Sequence, residues 1–112
     1  MNKLTYEDCI SLKNAGFPQP LVGKGFKKNG IECAYDVSKY IEFKEDYIYL
    51  PSLEEIIEQC GEGFDQLTRS IDQGGETYWW ASSINPKLRE FNADSPIIAV
   101  KNLYCALNPK KI

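Results

Sequence analysis

Gly23-Lys24-Gly25-Phe26-Lys27-Lys28-Asn29-Gly30 sets three cations and one aromatic ring on a glycine-rich backbone. Such a stretch can wrap an anion, with main-chain amides and the ammonium groups of Lys24, Lys27 and Lys28 as donors. A phosphate loop of the nucleotide-hydrolase type needs Gly-Lys-Ser or Gly-Lys-Thr running into a helix, and no helical pattern follows here. A solvated loop is the simpler reading. Tyr78-Trp79-Trp80 is the second group with chemical potential. In a strand, Tyr78 and Trp80 share one face and Trp79 takes the other. If helices cover only one face, the other presents an aromatic surface to a partner, or a platform for a base or sugar. The alternative is that the 84–94 segment covers it. We expect Trp79 inward, between the smaller Thr77 and Ala81, and Trp80 outward beside Tyr78. Lysines on phosphate with Trp79 or Trp80 stacked on a base would make a nucleotide-binding protein.

Acids concentrate in the middle of the chain, and Glu54, Glu55 and Glu58 fall on one side of a short amphipathic run. They can offer a negative face to a basic partner, or simply form the wet side of a helix. The chain contains no histidine. That removes His-based general acid/base catalysis, Ser-His or Cys-His nucleophile pairs and mixed Cys/His zinc sites. Four cysteines, Cys9, Cys33, Cys60 and Cys105, lie far apart and read as small hydrophobes rather than a disulfide framework. A net charge of −3 gives no general attraction to a phosphate backbone. No catalytic residue, metal site or cofactor is expected, and the chain reads as a non-enzyme.

The elements that would position these groups are marked by their ends. Thr5 can cap a helix beginning at Tyr6, with Glu7 and Asp8 in its first turn, and Gly16 then Phe17-Pro18 stop it. Gln19 to Gly30 shows no sustained period and reads as a long loop. Ile31, Cys33 and Tyr35 alternate, as do Ile41 and Phe43, and Tyr47 to Leu50 makes a further apolar run, so two or three strands are expected from 31 to 50. Ser52 and Glu55 form a capping box for a helix over 53–60, ended by Gly61. Residues 67–82 spell a hairpin, and 84–94 reads as irregular. Ser95-Pro96 opens a last helix, stopped at Asn108-Pro109 and followed by a tail, Lys110-Lys111-Ile112, expected to fray.

Leu12 to Gln19, Leu50 to Ile57, and Ser95-Pro96 with Ala99 to Tyr104 and Leu107-Asn108 form three blocks. In this order, with a tryptophan-containing hairpin between the last two, they resemble a loose group of small uncharacterised bacteriophage and prophage proteins. The blocks cover about a third of the chain. The resemblance implies a phage or prophage origin and carries no activity with it.

The pattern predicts one α+β domain over 1–112, with three helices on one face of a small, mostly antiparallel sheet. No apolar run reaches the roughly 20 residues of a membrane helix, and Met1 to Glu7 lacks a secretory pattern. The expected function is a cytoplasmic phage accessory protein that binds a host or phage protein, a defence protein to be inhibited among them, or its own copy. Tyr78, Trp80, Glu54, Glu55 and Glu58 are the expected contact residues. The nucleotide-binding reading stands as the alternative.

Overall fold

Three helix starts are each closed by a short side chain that accepts from the first turn. The computed structural model describes residues 3–88 and 90–109, so the tail beyond Pro109 falls outside it. In α1 (Tyr6–Asn14), Thr5 accepts from the Asp8 amide while Asp8 accepts from the Thr5 amide. Ser52 and Glu55 make the same reciprocal pair at α2 (Leu53–Cys60), and Ser95 caps α3 (Pro96–Leu107) through the Ile98 amide. Gly16, at φ 95°, ends α1: its amide bonds Lys13 and that of Phe17 bonds Leu12, so the turn drops Phe17 into the core.

Among the described residues six strands form two antiparallel three-stranded sheets rather than the single sheet expected. The first has the order β2–β1–β3, from β1 (Val22–Lys27), β2 (Glu32–Asp36) and β3 (Tyr47–Tyr49). The second has the order β4–β5–β6, from β4 (Phe64–Ile71), β5 (Thr77–Ser83) and β6 (Phe91–Ala93). β4 and β5 are the anticipated hairpin. α3 packs on β5 and β6, α1 and α2 pack on α3, and α1 also reaches β3. One core runs through all of it, from Phe26 and Ile48 of the first sheet to Ala81 of the second by way of Leu12, Ile56 and Leu103. The chain is thus a single small α+β domain.

Three local expectations are corrected. The supposed loop from Gln19 to Gly30 holds β1, the middle strand of its sheet. Its glycines serve close approach and not a turn: a Cβ on Gly25 would overlap the Ile48 carbonyl, and one on Gly23 would lie 2.9 Å from the Tyr49 ring. Ile41 and Phe43 are not in a strand but in a 3-10 helix, Ile41–Asp46, because β3 takes the place beside β1 and the Phe43 amide turns back to the Tyr40 carbonyl. The irregular 84–94 stretch contributes β6, which pairs Ala93 with Trp79 and Asn92 with Trp80.

Candidate binding surfaces

Register decides what the second sheet shows to each side. Trp79 and Ala81 of β5 oppose Arg69 and Leu67 of β4 and Ala93 and Phe91 of β6. Trp79, Ala81, Leu67, Phe91 and Ala93 all pack against the core, so this is the face under α3. Trp79 is the inward tryptophan, the choice that its small neighbours Thr77 and Ala81 favoured and that strand parity alone left open. On the other face Trp80 stands between Thr68 and Asn92, and Tyr78 opposite Ser70. The Tyr78 and Trp80 rings meet edge to face at 5.5 Å, and both residues are half-buried.

The three lysines do not join the tryptophans. Lys24 lies within β1 and Lys27 at its end, where their strand neighbours are β2 and β3, whereas Trp79 and Trp80 neighbour β4 and β6. Lys27 and Lys28 line an open hollow of about 380 Å³ with Asn29, Asp46 and Tyr47. Asp46 sits 3.5 Å from the Lys28 ammonium, so the hollow carries its own counter-charge. Lys24 does not line it.

Glu54 and Glu58 are exposed on α2, but Glu55 is committed elsewhere. Its carboxylate accepts from the Ser52 amide at 3.0 Å and from the Tyr49 hydroxyl at 2.6 and 2.8 Å. Burial acts to raise the Glu55 pKa, and the hydrogen bonds from Tyr49 and Ser52 outweigh it and hold the carboxyl below its usual range. Burial and the same carboxylate push the Tyr49 hydroxyl up to about 12. Asp8 is also depressed: burial works against it, while the Thr5 amide and the Lys101 ammonium at 3.0 Å prevail. Groups with lowered folded pKa values stabilise fully above their unfolded values and lose that contribution as pH falls through the folded ones. The melting temperature should therefore fall on acidification below about pH 5. Glu55→Gln should flatten the fall, and Tyr49→Phe should raise the Glu55 pKa in an NMR titration. An unchanged Glu55 titration in Tyr49→Phe would remove this account.

All four cysteines are free thiols. Burial pushes Cys9 up to about 12 and Cys60 up to about 11, which keeps both protonated and poor as nucleophiles at neutral pH. Among the described residues no group of three or more acidic or cysteine side chains is placed to hold a metal ion. No described helix is long and apolar enough to cross a membrane.

Three of the exposed large apolar side chains among the described residues lie close together in the chain, in a stretch whose Ile41 and Phe43 were expected in a strand. Tyr40, Ile41 and Phe43 are 58%, 61% and 49% exposed, and no residue of the 3-10 helix is buried. The Tyr40 and Phe43 rings lie 6.3 Å apart, and Lys39, Glu42 and Lys44 surround them in the chain, all exposed. Ion pairs of Glu45 with Lys13 and Asp46 with Lys28 tie the far end of this helix to α1 and to the β1–β2 turn. No family model, curated protein or solved structure matches the chain.

Proposed function

We propose that this chain works by binding another protein, as a non-enzymatic accessory protein of a phage or prophage within the host cell, with Tyr40, Ile41 and Phe43 as the centre of its contact. The observation that carries this reading is their exposure: three large apolar side chains within four residues contribute nothing to the core. Exposed single apolar residues are ordinary, but a contiguous group rimmed by charges has the make-up of a protein interface. The phage origin rests on the three-block resemblance. A host protein, including one of a defence system, is the partner class that fits it. We favour this reading over the nucleotide alternative because Lys24 and Lys27 lie on the first sheet and Trp79 and Trp80 on the second.

Ile41→Asp combined with Phe43→Asp should cost about 1 kcal/mol at most, since neither side chain is in the core and the main loss is the Tyr40–Phe43 ring contact. Immobilised wild-type chain exposed to host lysate should retain a partner that the double variant does not. Retention of the same proteins by both chains, or of none by either, would overturn the proposal. Loss of a partner with Trp80→Ala alone would move the contact to the outer face of the second sheet.

A further inference from the structure

We infer that two copies of this chain associate through β4, edge to edge and antiparallel, with Thr68 of each copy opposite Thr68 of the other. The inference does not depend on the Tyr40–Phe43 contact. A strand at the edge of a sheet presents unpaired amides and carbonyls, and proteins usually blunt such edges by shortness, lysine, proline or opposing charges. β3 and β6 have three residues each. β2 carries Glu32 and Asp36 at its ends, so two β2 strands paired about Ala34 would set acid against acid. β4 has eight residues, Phe64 to Ile71, with neither lysine nor proline; among the described strands it pairs with β5 alone, and its bulge at Asp65 confines the regular open edge to Gln66–Ile71.

Geometry then selects the register. Opposed residues of antiparallel strands point to the same face, so two identical strands related by a two-fold axis must set one residue against its own copy. A register shift between Phe64 and Gln66 leaves Asp65 without a partner on β5, and the regular run is Gln66 to Ile71. Near its middle only Thr68 or Arg69 can take the axial place. Arg69 against Arg69 would bring two guanidinium groups together at cross-strand distance, roughly 5 Å, which is unfavourable. Thr68 against Thr68 is a favourable pair, and it sets Leu67 opposite Arg69 and Gln66 opposite Ser70. Thr68, Trp80 and Asn92 share the outer face, so the pairing would also place two Tyr78–Trp80 contacts on one continuous sheet. Five residues a side bury less than the roughly 1,200 Å² of a standard interface, so the dimer is weak and reversible.

Sedimentation equilibrium of the wild-type chain, up to about 1 mM, should show its average mass rising with concentration. Thr68→Lys and Thr68→Glu each set like charges on the axis and should associate at least about tenfold more weakly, while their equimolar mixture regains association. Ile41→Asp with Phe43→Asp should associate as the wild type does, which separates this test from that of the proposed function. A wild type that stays monomeric, single variants that associate normally, or a mixture that fails to recover would each overturn the inference. Hydrogen exchange on the wild type covers the case of a variant that does not fold. Amides within Gln66–Ser70 must gain protection between dilute and concentrated solution, and no gain there overturns it.

Discussion

Gly25→Ala should destabilise the chain by about 3 kcal/mol or more, enough to unfold a large fraction of a domain of this size. The added methyl would overlap the Ile48 carbonyl oxygen, and the Tyr35 ring, 3.2 Å from the same point, closes the other way out. Since Gly25 pairs with Cys33 on one side and Tyr49 on the other, any retreat of β1 breaks hydrogen bonds in both directions. Gly74→Ala is the matched control. Its Cβ would meet only the Asp72 carboxylate, at 3.4 Å, and its cost should stay within about 0.5 kcal/mol. Urea denaturation of the two variants decides the matter. Equal midpoints would show that β1 and β3 are not held at the close spacing seen here.

Trp79→Ala should cost about 3 kcal/mol, the lower end of the range for aromatic truncation, because Trp79 is partly and not wholly buried against the core. Trp80→Ala loses chiefly its edge-to-face contact with Tyr78 and should cost about 1 kcal/mol. Paired melting curves test the asymmetry. If both variants fell equally, the outer face would be as well packed as the inner one, and the faces assigned from the strand register would be wrong.

Helix ends were legible because their signals are local. Thr5 with Asp8, Ser52 with Glu55 and Ser95 before Pro96 each act within one turn, and all three act as their spacing predicts. The parity of Trp79 and Trp80 was legible for the same reason. β1 was not, because the two glycines in Val-Gly-Lys-Gly-Phe-Lys read as breakers, while their actual role is to admit Ile48 and Tyr49 from a strand more than twenty residues away. Glycine inside a strand pattern does signal close backbone approach, and that signal was available. Ile41 and Phe43 alternate with charges as a half-buried strand would. Nothing local says that the place beside β1 belongs to β3, so the exposed ridge emerges only from the tertiary arrangement.

The position of α3 in the chain bears on how the protein is made. Its residues Ala99, Val100, Leu103 and Tyr104 occupy the centre of the core, yet it follows all six strands in sequence. Until α3 docks, the apolar underside of the second sheet, with Leu67, Trp79 and Ala81, has no cover even when its strands have paired. A chain in that state exposes a sticky surface until its last helix is free of the ribosome and packed. A product that lost α3 would therefore not be a smaller folded domain but a chain with an open apolar sheet, prone to chaperone capture and aggregation.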